Sequence, residues 1–180
     1  LIIAVLFMSS EQARGRLSAV VSESQGFETA GNHQSSSGWR LNAWQRSLEA
    51  IQEHPGMGAG VGGWTQVVKR LQGPSATEVF GSGESSNPHQ EYLLWGVELG
   101  VGGIALLLAL LVSLMRDALR FPPPVSRSLI SVTVALAVAA LFNSILYDGL
   151  IGDYFCVILG LLMALGVQSK QVHPAAPPAL

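Results

Sequence analysis

The feature that most constrains this chain is an apolar run from Leu93 to Met115, in which Glu98 is the only charged residue. A helix needs about 20 mainly apolar residues to cross the hydrocarbon core of a bilayer, and this run is long enough. Only 12% of the 180 residues are charged and 49% are hydrophobic, whereas a soluble domain carries about a quarter charged residues. The run and the composition together predict an integral membrane protein.

Two further apolar segments, 129–147 and 153–167, predict two more membrane spans. The chain opens with "LIIAVLFMSS", which is too short for a span and lacks the basic start of a signal peptide. We therefore expect residues 1–9 to be the end of a transmembrane helix that begins, with further helices, outside this sequence. The predicted fold class is an all-α integral membrane protein, a multi-helix transmembrane bundle with a large, partly helical outer loop.

The arginines predict which side of the membrane each connection faces. Three of them fall in the short segment 116–128, around "FPPP", and short Arg-rich loops remain on the cytoplasmic side. The long polar segment 10–92 then faces outward. The other predicted connections are a short outer loop, 148–152, and a cytoplasmic tail, 168–180.

The outer segment contains an amphipathic helical pattern between residues 39 and 53. Its apolar residues recur at helical spacing, serines just before it supply an N-cap, and Pro55 ends it. These apolar residues are Leu41, Trp44, Leu48 and Ile51. A glycine-dense loop, "HPGMGAGVGGW", and a short helical stretch, "TQVVKRLQ", follow. We expect the glycines to form a tight turn that returns the loop to the membrane surface.

Several common functions are not supported by the sequence. Gly58, Gly60 and Gly63 match the dinucleotide-binding fingerprint by letter, but no predicted strand precedes them. The four histidines are scattered without ligand spacing and the single cysteine offers no disulfide, so we expect no metal and no cofactor. The net charge of −2 gives no reason to expect a nucleic-acid partner.

The segment "NPHQEY" places titratable groups at the start of the first apolar run. Asn87 is predicted to be the N-cap, Pro88 the first helical residue and Gln90 a capping-box partner, which puts His89 in the first helical turn. The helix dipole there disfavours the imidazolium and keeps His89 able to accept a proton, and the free N–H groups of the turn favour an anion. The alternative is a polar cap at the membrane interface without a catalytic role.

Helical spacing favours a functional position for His89. At about 100° per residue, glycines at 96, 100 and 103 share its face, and small residues let neighbouring helices approach closely. His89 is therefore predicted to point into the bundle. Glu98 falls on the opposite side, so we expect no direct pair with His89, and a hydrogen bond to another helix is at least as well supported as a catalytic role.

Arg40 opens the amphipathic helix, with Trp44 one turn later. An arginine beside an aromatic residue usually serves packing and solubility, but its planar guanidinium also suits a phosphate group near a membrane. Arg46, Lys69 and Arg70 are weaker candidates for the same role, with a solvated helix face as the alternative.

Three segments together resemble a known family: "RLNAW", "IQEHPGMGAGVGGW" and "NPHQEYLLWGVELGVGG". They are similar to the C-terminal half of the O-antigen ligase and polymerase superfamily. The ligase motif has His followed by Asn, Ser or Gln, then nine residues and Gly-x-x-Gly, and His89-Gln90 with Gly100 and Gly103 fits it without a gap. The resemblance covers residues 38–115, and more loosely "FNSILYDGLIGDYF".

The resemblance implies a glycosyltransferase of the bacterial inner membrane, with a multi-pass topology and an active site facing the periplasm. Such an enzyme transfers a glycan from undecaprenyl diphosphate to an acceptor, with lipid A–core as the favoured acceptor and without a metal. By position, His89 would be the catalytic base and Arg40 would bind the diphosphate, with Asn87, Gln90 and Arg46 as substrate-binding residues. The family's second arginine has no match here, so we expect this part of the chain alone to be inactive.

Two sets of alternatives remain open at this point. A chain-extending polymerase or a protein O-oligosaccharyltransferase of the same superfamily would carry similar residues. A membrane transporter would be expected to place broken helices and charged groups near the midplane of the bilayer, whereas this sequence concentrates its polar groups at the outer interface.

Overall fold

The computed structural model describes residues 36–72 and 87–172, together with positions 11, 12, 15, 18, 19 and 22. Within the described residues the chain forms helices and turns and no strand. The five helices are α1 (Ser36–Glu53), α2 (Trp64–Gln72), α3 (Glu91–Ala118), α4 (Pro123–Ala139) and α5 (Gly149–Val172). The predicted segment 1–9 and the end of the tail, beyond residue 172, lie outside this description.

Two of these helices, α3 and α5, are long and apolar enough to cross a membrane. The predicted span at 129–147 was wrong in its bounds. Its helix, α4, is shorter, with 17 residues, and residues 140–148 form turns. Pro122–Pro124 explain the early start, because proline is well tolerated in the first turn of a helix. The last helix begins at Gly149, so the predicted outer loop at 148–152 is largely helical.

The helices α1 and α2, with the glycine loop (residues 54–63) between them, form a cap on the first half of α3. Small residues of α1, Ala43, Ser47 and Ala50, are buried against Trp64 of α2, whose indole donates a hydrogen bond to Ser47 Oγ (2.9 Å). The predicted apolar face of α1, formed by Leu41, Trp44, Leu48 and Ile51, is therefore not its most buried face. Leu48, which belongs to the predicted face, is 52% exposed.

The helix α3 is interrupted at Gly100, which has φ +69° and ψ −160°. The glycine loop fills the interruption: the N–H groups of Ala59 and Gly60 donate to the carbonyl oxygens of Val97 and Glu98 (2.7 and 2.9 Å). In return, Val101 N–H donates to Pro55 O (2.9 Å). The backbone groups that the break removes from the helical ladder are thus satisfied by the loop, as burial requires.

Glycine is needed at this contact because the two backbones approach closely. A Cβ at Gly100 would lie 2.5 Å from Pro55 O, and a Cβ at Gly58 would lie 2.6 Å from Glu98 O. Gly96, one turn above the break, receives the side chain of Ile51 from α1. Gly96 and Gly100 therefore leave room for the cap, whereas an added Cβ at Gly103 would meet the carbonyl group of Trp95 in the same helix.

The other side of the α3 N-terminus is tied to the loop between α4 and α5. Glu91 is buried, and its carboxylate accepts hydrogen bonds from the Trp95 indole (2.8 Å) and from Leu146 N–H (2.9 Å). Its own N–H donates to Ala140 O (2.9 Å), and Tyr92 Oη donates to Ala137 O (3.0 Å). The start of α3 is therefore held against the end of α4.

This contact, together with the break, sets the shape of α3. The 28 residues of α3 correspond to about 42 Å of helix and the 17 residues of α4 to about 26 Å. A short turn joins the two helices at one end, yet Glu91 reaches Ala140 at the other. The part of α3 before Gly100, residues 91–99, must therefore turn across the end of α4.

We predict that Gly100→Ala lowers the stability of the full-length protein by about 1–3 kcal/mol or more, because the backbone is held at positive φ and the methyl group would meet Pro55 O. Thermal unfolding in detergent measures the change. Gly102→Ala is the matched control, since Gly102 has helical φ and nothing within 4 Å of an added Cβ. Equal melting temperatures for the two variants would contradict the docking of the loop at Gly100.

We also predict that Glu91→Gln loosens the loop between α4 and α5. The NH2 group of the glutamine would face one of the two N–H donors that now bind the carboxylate, those of Trp95 and Leu146. An unsatisfied buried polar group costs about 1–3 kcal/mol. Amide hydrogen exchange at Leu146 should accelerate by roughly tenfold or more. Glu49→Gln, at a half-buried carboxylate paired with Arg46, should leave that exchange unchanged.

Candidate functional site

The helix α3 does not begin where the sequence predicts. Its N-cap is Gln90, whose side chain accepts a hydrogen bond from Leu93 N–H (2.6 Å), and not Asn87. The physical reason is tertiary: the indole of Trp44 donates to Pro88 O (3.0 Å) and so takes up a carbonyl that a helix start would need. Asn87 instead accepts the N–H of His89 at its own Oδ1 (2.8 Å).

His89 therefore precedes the helix and does not lie in its first turn. Among the described residues other than glycine, His89 is the one with a positive φ (+50°). Residues with a side chain rarely adopt this backbone conformation. Such strain persists only where the surrounding contacts enforce it, and it concentrates at functional positions. The helical-wheel argument for its direction does not apply outside the helix, so the tertiary contacts decide where the imidazole lies.

The imidazole of His89 is half-buried between the cap and the α4–α5 loop. Its Nδ1 lies 2.9 Å from Asn143 Oδ1, and the ring of Trp39 meets it edge-on, with centroids 5.4 Å apart. Trp39 belongs to α1 and Asn143 follows α4. His89 thus sits where the cap, the start of α3 and the end of α4 come together.

The partners of Asn143 fix the proton on the imidazole. Asn143 Oδ1 also accepts the N–H of Ser144 (3.0 Å), which identifies the amide atom facing His89 as the oxygen. An amide oxygen only accepts, so Nδ1 of His89 must donate. In the neutral imidazole the lone pair is then on Nε2, and this is the tautomer that a proton-accepting histidine needs when Nδ1 is held by an orienting group.

Arg40 lies on α1 between two residues that contact the segment around His89. It directly follows Trp39, which contacts the imidazole, and it precedes by one turn Trp44, which binds Pro88 O. Its side chain is exposed. Arg40 is therefore next in the chain to the residue that contacts the imidazole, and its exposed side chain can meet an anionic group.

The other predicted site residues have contacts within the fold. Arg46 is half-buried and forms an ion pair with Glu49 (2.7 Å), and Arg70 pairs with Glu53. Asn87 shapes the turn at His89 and Gln90 caps α3. None of these contacts tests a role in substrate binding, which stays a prediction for Asn87, Gln90 and Arg46.

Glu98 is buried on the side of α3 that faces the cap. Its Oε1 accepts the N–H of Gly62 (2.9 Å), so its partner is the glycine loop and not another helix. This contact holds the loop beside the break at Gly100.

Sequence reasoning missed Asn143, which lies 54 positions after His89. Its sequence signals are weak: it is a polar residue directly after an apolar run, as is common at helix ends, and it lies in the loosely resembling segment "FNSILYDGLIGDYF". Among the described residues, no three His, Cys, Asp or Glu side chains gather into a group that could hold a metal ion.

Comparison with known proteins identifies the family of this chain. No curated protein matches the chain. A family model described as O-antigen ligase matches residues 1–108, which include Arg40, His89 and the break at Gly100. The match covers more than half of the 180 residues and confirms the resemblance to this family. The chain belongs to the O-antigen ligase family.

Proposed function

We propose that the protein is a membrane glycosyltransferase that transfers a glycan from undecaprenyl diphosphate to an acceptor hydroxyl, with lipid A–core as the favoured acceptor. The observation that carries the proposal is the bond from His89 Nδ1 to Asn143 Oδ1, which leaves Nε2 as the proton acceptor. Membership of the O-antigen ligase family supports the class of reaction. The two apolar helices and the family support a membrane location, for which we propose the bacterial inner membrane with the site facing the periplasm.

In this mechanism, His89 Nε2 takes the proton of the acceptor hydroxyl as its oxygen attacks the anomeric carbon of the glycan. The bond from that carbon to the diphosphate oxygen breaks, and the lipid diphosphate leaves with the bonding electron pair. Arg40 neutralises charge on this leaving group, the electrostatic role that cationic side chains have at transferring phosphates. Asn143 acts as a positioning residue, because it contacts the base and not the reacting atoms.

The structure contains one feature that a transporter would share, the broken helix α3. In transporters, the backbone groups freed at such a break coordinate the substrate or ion. Here the carbonyl oxygens of Val97 and Glu98 accept hydrogen bonds from the glycine loop. The break is therefore occupied by the protein itself, which favours the enzyme. A polymerase or a protein O-oligosaccharyltransferase would use the same base and differs in its acceptor.

We predict that His89→Ala in the full-length protein lowers glycan transfer by about 10²–10⁴-fold, the usual contribution of a general base. Arg40→Ala should lower it by about 10²–10³-fold through loss of charge stabilisation, and Arg40→Lys should lower it less. Transfer is measured with purified protein, a lipid-linked glycan and lipid A–core, and in cells as surface polysaccharide.

Matched controls are His54→Ala and Arg127→Ala, since both side chains are exposed and belong to other elements, the glycine loop and α4. Both controls should transfer glycan at the wild-type rate. Normal membrane insertion of His89→Ala together with unchanged transfer would overturn the catalytic assignment. Transfer to a second glycan and not to lipid A–core would show that the enzyme is a polymerase and not a ligase.

The role of Asn143 has its own test. Asn143→Leu removes the acceptor for Nδ1 and should lower transfer by roughly tenfold or more, because the base loses its tautomer and orientation. Asn143→Asp keeps an acceptor and should retain most of the rate. A carboxylate beside the imidazole favours the imidazolium, so the low-pH side of the rate profile should move to higher pH. Equal loss in both variants, with an unmoved profile, would indicate a purely structural role.

A further inference from the structure

The glycine loop exposes two large apolar side chains. Met57 is 88% exposed and Val61 is 84% exposed, and the loop around them consists mainly of glycine. Burying a side chain of this size is favourable by about 1.5–3 kcal/mol. We therefore expect an apolar partner to cover these two side chains, which lie close together in the chain.

The position of the loop along α3 indicates what that partner is. Between Glu91 and Gly100, α3 has no exposed residue, because the cap and the α4–α5 loop cover it. Exposure begins at Val101, which is 55% exposed, and continues along the helix. The large apolar residues exposed beyond it on α3 are Leu106, Leu108, Leu110 and Val112. The exposed apolar surface of α3 therefore starts at Val101.

The glycine loop is fixed at this level. Pro55 O accepts the N–H of Val101 (2.9 Å), and Ala59 N–H donates to Val97 O (2.7 Å). Met57 lies midway between these two anchored residues in the chain. The loop thus holds its exposed side chains at the level where the exposed apolar surface of α3 begins.

Part of the backbone of the loop is also satisfied within the protein, as a poorly hydrated environment requires. Its N–H groups at Gly58, Ala59, Gly60, Gly62 and Gly63 all donate to protein oxygens. A loop in water has no need for internal acceptors, whereas non-helical backbone at a membrane is tolerated only where the protein satisfies it. The carboxylate of Glu98 supplies one of these acceptors, to Gly62, from within α3.

We propose that the glycine loop is an interfacial anchor, with Met57 and Val61 inserted among the lipid acyl chains beside Val101. The occupant is lipid because the exposed side chains continue the apolar surface of α3 at the same level. The loop is not a membrane span: it enters only the boundary between headgroups and acyl chains. The cap is thereby held on the membrane surface, at a fixed height relative to His89. This inference does not depend on the reaction proposed above.

The test uses the full-length protein in nanodiscs of phosphatidylethanolamine and phosphatidylglycerol. Met57→Cys and Val61→Cys are each made in a Cys156→Ser background and labelled with an environment-sensitive fluorophore. Gln66→Cys on α2 is the matched control, since Gln66 is exposed and lies outside the loop. We expect blue-shifted emission at 57 and 61, quenched several-fold more by lipids with a shallow spin label than by aqueous iodide, and the reverse at 66.

Iodide quenching at 57 and 61 equal to that at 66 would place the loop in water and overturn the proposal. Protection from both quenchers would show that protein covers the loop, and would overturn it equally. Both substituted side chains are exposed, so the substitutions leave the packed interior unchanged. Because the readout is fluorescence, a failure here leaves the proposed glycan transfer intact.

Discussion

The structure depends on the docking of the glycine loop into the interrupted helix α3. A break inside an apolar helix frees carbonyl and N–H groups that cannot remain unpaired when buried. Here the loop pairs with Val97 and Glu98 on one side of the break and with Val101 on the other. Gly100 permits this docking for two reasons: it adopts a positive φ, and it has no Cβ that would collide with the backbone at Pro55.

The same docking positions the candidate site. Before the break, residues 91–99 of α3 are held by the cap on one side and by the α4–α5 loop on the other, where the buried Glu91 accepts a hydrogen bond from Leu146 N–H. His89 lies at the junction of these two contacts. Trp39 reaches it from α1 and Asn143 from the end of α4. Neither half of the site is local in sequence, so a loss of packing on either side would displace the imidazole.

Several parts of this arrangement could be predicted from the sequence. The apolar runs of α3 and α5, the glycine-dense loop and the gap-free fit of the His89 motif are visible in short stretches of sequence. The helix start was predicted at Asn87 from capping preferences, and this was wrong because Trp44 competes for Pro88 O. The buried face of α1 was also misjudged, since its small residues pack closely while Leu48 is exposed.

The sequence by itself determined the helical class, the apolar segments and the histidine motif, because these follow from composition and from spacing within a few turns of chain. Only the tertiary structure decided that α3 breaks at Gly100, that His89 lies before the helix and that Asn143 orients it. Each of these depends on a hydrogen bond between residues 44 to 54 positions apart, such as those of Pro55, Trp44 and Asn143. Local propensity carries no information about such pairs, so the folded chain alone specifies them.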